Sequence, residues 1–316
     1  MTARFGNWLV LAALLTAAVG AYFLFPYNLS FLTRVVIMMI FVLSLDLVLG
    51  FAGIATLGQA ALYGTGAYAA GLCAVHLSAD PLLGLAVGAL AGAAVAFVSG
   101  LLLMRAHGLT LLMLSIAVAQ VMQEIANQAR PLTGGADGLG GILMDPVMGI
   151  WEFDFVGQTG YIYAVCVLFA VLGFLKVLTA SPFGLMARGI HASPARMRAI
   201  GTPVYRRLVI VYVVGGAIAG IAGALAAQIT ELVSLEVYSF SLSAEAVIML
   251  ILGGAGRLYG AIIGTAIFMS VHHVAASVDP FNWLFIIGAL VLGVVFFVPS
   301  GLLGLPAALT RLARRP

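Results

Sequence analysis

Three acidic side chains, Asp46, Glu124 and Glu245, sit within otherwise apolar stretches of this chain. An ionisable group in such a stretch costs several kcal/mol in a bilayer and turns toward a bundle interior or toward water. Around the second of them, Gln120, Glu124 and Asn127 or Gln128 recur at helical spacing, so one helix face carries four polar groups. That stripe suits the wall of an aqueous path; a hydrogen-bonded seam between helices, or a helix end emerging into water, accounts for it equally well. Asp46, near the end of its apolar run, suits pairing with a neighbouring helix. No constellation for covalent or metal chemistry accompanies these acids. The single lysine, Lys176, follows Leu175, which excludes the phosphate-binding pattern G-x-x-x-x-G-K-[ST], and H-E-x-x-H does not occur. His272 and His273 are adjacent and point about 100° apart on a helix, as ordinary polar residues of a bundle. Cys73 and Cys166 lie far apart in apolar runs and offer neither a disulfide framework nor a metal site. We therefore expect no catalytic residue, metal or cofactor in this chain, and the energy for any uphill transport to come from a partner or an ion gradient.

The elements that must position these groups are membrane spans. Of 316 residues, 63% are hydrophobic and 8% charged, against roughly 45–50% and about 25% in ordinary globular domains. That balance excludes a soluble enzyme, a disordered tail and a disulfide-stapled secreted domain. At about 20 apolar residues per span the length holds on the order of ten spans, with 8–11 as the range. The stretches are 8–25, 31–49, 52–76, 81–103, 108–128, 160–178, 208–229, 242–254, 258–276 and 283–299. The first reads as a span and not as a cleaved leader, the third is glycine-rich enough to be broken, and the eighth is short enough for a half-helix. The expected fold is an all-α polytopic membrane protein, one transmembrane domain over residues 1–316. With both termini cytosolic, 12 of the 14 Lys and Arg residues fall inside, leaving Arg34 and Arg130 outside, while Asp80, Asp137, Asp145, Glu152, Asp154, Glu231, Glu236 and Asp279 fall outside. Two segments outside the spans are long: an external loop, 129–159, rich in Gly and acid, and a basic cytosolic segment, 180–207.

The cytosolic segment is punctuated by Ser181-Pro182, Ser193-Pro194 and Thr202-Pro203. A hydroxyl cap followed by Pro at the first helical position starts a helix, and Gly201 suits a left-handed stop. The result is a helix of about two turns, Pro194–Ile200, with Met197 and Ile200 on one face and Arg196 and Arg198 elsewhere. So short a helix is marginal alone; it lies on anionic lipid or docks a cytosolic protein. Two glycine patterns complete the picture. Gly216, Gly220 and Gly223 form a close-packing helix face. Leu49-Gly-Phe-Ala-Gly53 is echoed by Leu252-Gly-Gly-Ala-Gly256, at two inner turns.

Four segments then occur in order: GFAGIATLGQAALYGTGAY at 50–68, LTGGADGL at 132–139, SPFG at 181–184 and LGGAGRLYGAIIG at 252–264. Through them, over roughly residues 30–300, the chain resembles the LivM/LivH-type permeases of the branched-chain amino-acid ABC importers, and LivM most. The resemblance implies an inner-membrane permease subunit of an ABC importer, working by alternating access. Its implied partners are a second related permease, two cytosolic ATPase subunits that hold the ATP and Mg, and an extracytoplasmic solute-binding protein; nucleic acid is not among them. It implies ATPase coupling through Pro194, Met197, Ile200 and Gly201, and a translocation path among Gln59, Tyr63, Gln120, Glu124 and Asn127. The 132–139 loop is placed to shape the outer lip. The cargo would be branched-chain amino acids or a related small polar or carboxylate compound, since this architecture also carries urea, short amides and aromatic carboxylates. Two departures stand out: Gln120 replaces an acidic residue, and Ser193-Pro194-Ala195 replaces a Glu-Ala-Ala-like run. The alternative is an ion-coupled secondary transporter, which needs its intramembrane acids gathered into an ion site.

Overall fold

The computed structural model of the chain describes residues 13–16, 18–23, 28–147, 151, 157–278, 285, 288 and 292. Among the described residues the regular structure is helical, with isolated antiparallel bridges joining Leu139 to Val233 and Val147 to Trp151. Six helices are long and apolar enough to cross a membrane. They comprise α1 (Leu29–Leu45), which continues as a π-helical turn Asp46–Phe51, then α3 (Pro81–Leu103), α4 (Leu109–Gln128), α5 (Gln158–Ala180), α8 (Val204–Thr230) and α10 (Leu258–Val278). Between them come α2 (Gln59–His76), α6 (Pro182–Ala192), α7 (Pro194–Ala199) and the shorter apolar α9 (Phe240–Gly253). The all-helical expectation holds with six spans on the described residues. The expected outermost span 8–25 is described at 13–16 and 18–23, which are helical, while most of 283–299 and both termini lie outside the described residues.

The stretch 52–76 departs from a continuous span. Residues 53–58 are non-helical and α2 starts only at Gln59. Irregular backbone at membrane depth persists only where protein satisfies its polar groups, and here hydroxyls do so. The Leu57 N–H donates to Ser115 Oγ at 3.0 Å, the Gly58 N–H to Thr56 Oγ1 at 3.2 Å and the Ala60 N–H to Ser243 Oγ at 2.9 Å. Ser115 lies about 9 Å along α4 at 1.5 Å per residue, so α2 begins inside the membrane slab, capped by serines of α4 and α9. Asp80 starts α3 more conventionally, its Oδ1 accepting from the Leu82 N–H at 2.9 Å with Pro81 at the first helical position.

Apolar side chains gain nothing by leaving lipid for protein, so helix association here rests on close packing. Glycines supply it. A Cβ on Gly66 would strike the Gly220 backbone, one on Gly88 would come within 3.0 Å of Gly220 O, and one on Gly220 within 3.3 Å of Gly92 Cα. Thus α2, α3 and α8 meet nearly backbone to backbone, on the face expected from Gly216, Gly220 and Gly223. A Gly220→Val substitution should destabilise the bundle by about 1–3 kcal/mol through overpacking. The unfolding temperature of the detergent-purified protein should fall accordingly. Gly173→Val on α5, where an added Cβ meets open space, should leave it unchanged.

Candidate functional site

The path expectation rests first on α4. Only 22% of its most apolar window is buried, against 78% for the span Leu29–Phe51. Ser115, Ala119 and Ala126 form the side packed on the bundle, while Gln120, Glu124 and Gln128 are exposed along the opposite side. The Gln128 Nε2 donates to Glu124 Oε1 at 2.8 Å, one helical turn apart. Asn127 is half-buried at the edge of the same face. An exposed carboxylate on a span is costly against lipid, so this face requires water or a polar partner beside it.

Gln59 and Tyr63 do not join that face. Gln59 is wholly buried at the start of α2, its Nε2 donating to Ser44 Oγ at 3.0 Å, with Oε1 lacking a partner among the described residues. The Tyr63 ring is buried 4.9 Å from the Phe41 ring. The five expected path residues therefore divide into a group on the outer surface of α4 and a pair enclosed by α1, α2 and α8. Along the middle of α2, Tyr238 stacks on Tyr68 at 5.7 Å and lies over Gly64. Tyr238 belongs to the turn Leu235–Tyr238 outside the spans, where burial pushes its phenol up to about 12 and keeps it neutral.

The LTGGADGL loop folds back onto α2, with Leu139 against Gly71. Arg130–Thr133 form one helical turn, and Gly134 ends it at φ +76. Leu139 and Val233 exchange backbone hydrogen bonds of 2.8 and 3.0 Å. The loop is thereby pinned to the segment after α8, beside the polar end of α4.

The segment 180–207 forms as anticipated at its centre. In α7 the Ser193 Oγ accepts from the Arg196 N–H at 3.4 Å, with Pro194 at the first helical position. At the other end Gly201 has φ +84, its N–H donates to Arg198 O at 2.9 Å, and the Thr202 N–H donates to Met197 O at 3.0 Å. That paired closure is the Schellman stop. Three details differ from expectation. The Ser181 hydroxyl donates back to Leu178 O and does not cap α6, Pro203 and not Thr202 stands at the cap position of α8, and Met197 and Ile200 part company. Met197 tucks onto Gly189 of α6, where its Sδ fills the space of a missing side chain, whereas Ile200 is 74% exposed. With none of its residues buried, α7 presents Ile200 rimmed by the exposed Arg196 and Arg198, an apolar point with a basic edge.

The three intramembrane acids stay apart in role. Asp46 Oδ1 accepts from the Gly256 N–H at 2.6 Å, Glu124 is exposed and Glu245 is half-buried on α9. Among the described residues no three His, Cys, Asp or Glu side chains converge. His272 and His273 diverge, toward Phe268 and Phe31 respectively. The serines that cap the start of α2, Ser115 and Ser243, gave no sequence signal beyond being hydroxyls in apolar runs, and neither did His191, whose Nδ1 lies 3.2 Å from Gly50 O.

Residues 27–295 match the family described as branched-chain amino acid transport system / permease component. The chain is 24% identical over 317 residues to the high-affinity branched-chain amino acid transport system permease protein LivM of Salmonella typhimurium, covering 93% of this chain and 74% of that protein. It is 24% identical over 318 residues to LivM of Escherichia coli K12, with the same coverage. The L-arabinose ABC transporter permease protein AraH of Azospirillum brasilense is 29% identical over 224 residues, 68% of this chain and 63% of AraH. No solved structure matches.

Proposed function

The chain belongs to the family of branched-chain amino-acid transport-system permease components, as a LivM-type permease, and on that footing we propose that it forms one half of a solute path completed by a second, related permease. Two cytosolic ATPase subunits drive the path from the side of α7, and an extracytoplasmic solute-binding protein delivers cargo at the bacterial inner membrane. The observation that carries this reading is the exposed Gln120–Glu124–Gln128 face on a span, which has no place against lipid but suits a wet seam between two subunits. ATP binding and hydrolysis displace α7, and the spans rock between outward- and inward-facing arrangements. The cargo is a branched-chain amino acid or a related small polar compound; relatives named for amino acids and for L-arabinose agree with a frame whose choice of cargo lies largely in the delivering protein. The ion-coupled alternative gains nothing from acids as dispersed as Asp46, Glu124 and Glu245.

Cysteine accessibility tests the wet seam. In a background with Cys73 and Cys166 replaced, a membrane-impermeant thiol reagent added to the assembled transporter should modify Glu124→Cys and Gln120→Cys. It should leave Val98→Cys unmodified, since Val98 is an exposed apolar residue of α3. Protection of both α4 positions to the level of Val98→Cys would remove α4 from the path.

A further inference from the structure

The glycine echo of the sequence turns out to be a contact. Gly50, in the π turn that continues α1, lies against Gly256, in the turn between α9 and α10. A Cβ added to Gly50 would collide with the Gly256 nitrogen and come within 2.9 Å of its Cα. The wholly buried Asp46 seals the approach, its Oδ1 accepting from the Gly256 N–H at 2.6 Å. On the other side of Gly50 stands α6. His191 Nδ1 lies 3.2 Å from Gly50 O, and since a carbonyl only accepts, Nδ1 is the donor. A Cβ on Gly53 would fall 2.6 Å from His191 Cδ2, and the Arg188 guanidinium covers the Phe51 ring at 4.8 Å. Met197 of α7 is seated on Gly189 of α6.

We propose that this junction is where displacement of the cytosolic segment passes to two spans together, with His191 as the positioning residue that ties α6 to the backbone joining α1 and α10. The proposal rests on the permease reading above. Its physical basis is the absence of slack. From α7 the contacts run Met197 to Gly189, His191 to Gly50, and Gly50 with Asp46 to Gly256; only the first is made by a flexible side chain, the Met197 thioether, and every step beyond it joins backbone through a short or ring side chain packed without space to spare. The π turn provides a local irregularity at which the end of α1 can shift register.

The test uses the full transporter with its ATPases, partner permease and binding protein in proteoliposomes, reading solute moved per ATP hydrolysed. His191→Leu should assemble normally and lower that ratio about fivefold or more, the lower end of ordinary coupling strengths. His191→Asn, whose side-chain amide can donate where Nδ1 does, should recover most of it. A wild-type ratio in His191→Leu overturns the proposal. So does a His191→Asn ratio as low as that of His191→Leu, or failure of His191→Leu to assemble, which would make the residue merely structural. Failure of the wild-type complex to link uptake to ATP would instead sink the permease reading, and this proposal with it.

Discussion

Replacing Ile200 with glutamate should detach the ATPase from the permease without unfolding either. Ile200 is 74% exposed at the end of a helix with no buried residue, so its substitution disturbs no packing in the spans. The helix itself is fixed by the Ser193 cap and the Gly201 stop, which hold Ile200 at a defined position with Arg196 and Arg198 as a rim. An apolar anchor of that kind, once seated in a partner's pocket, commonly accounts for about 2–4 kcal/mol, roughly a 30- to 1,000-fold change in affinity. A carboxylate there would have to be buried without a partner. Ile200→Glu should therefore abolish co-elution of the ATPase from a size-exclusion column while the two permeases still elute together, and Ile200→Leu should restore it. Undiminished co-elution of the glutamate variant would show that docking lies elsewhere on the segment.

Replacing Glu124 with alanine should reduce uptake about tenfold, the equivalent of one lost charge-assisted hydrogen bond at the passage barrier, while the complex assembles as before. Glu124 contacts Gln128 and otherwise presents its carboxylate outward from α4, so its loss leaves the fold intact. Glu124→Gln should fall between the two, keeping a polar surface without the charge. Initial uptake rates at saturating binding protein measure this directly. An unchanged rate in the alanine variant would remove Glu124 from the path, leaving the stripe as a seam between permeases.

Different parts of this molecule were legible in the sequence for different reasons. Spans such as 81–103 could be read because composition alone marks them, and α3 runs Pro81–Leu103. The bounds of α7 were visible because Ser-Pro and Gly are local signals, acting within one turn of themselves. Met197 and Ile200 were misjudged as one face because their separation depends on a tertiary event, the vacancy beside Gly189 that draws Met197 inward. The break before α2 was suggested by glycine, but its support by Ser115 and Ser243 joins residues 58 and 183 positions apart, which no local pattern encodes. Asp46 was expected to pair with a neighbouring helix; its partner is instead a backbone N–H in the turn after α9. The polar face of α4 was readable from helical periodicity, whereas the enclosure of Gln59 and Tyr63 depends on how α1 and α8 close around α2.

The central claim is that this chain is a gate driven by another subunit's ATP. Sealed vesicles carrying the chain alone, and vesicles carrying it with its partner permease, ATPases and binding protein, should be compared for concentrative uptake under an imposed ion gradient and with internal ATP. Uptake only in the complete assembly, only with hydrolysable ATP and regardless of the gradient is the result predicted. Accumulation by the chain alone, driven by the gradient, would contradict it.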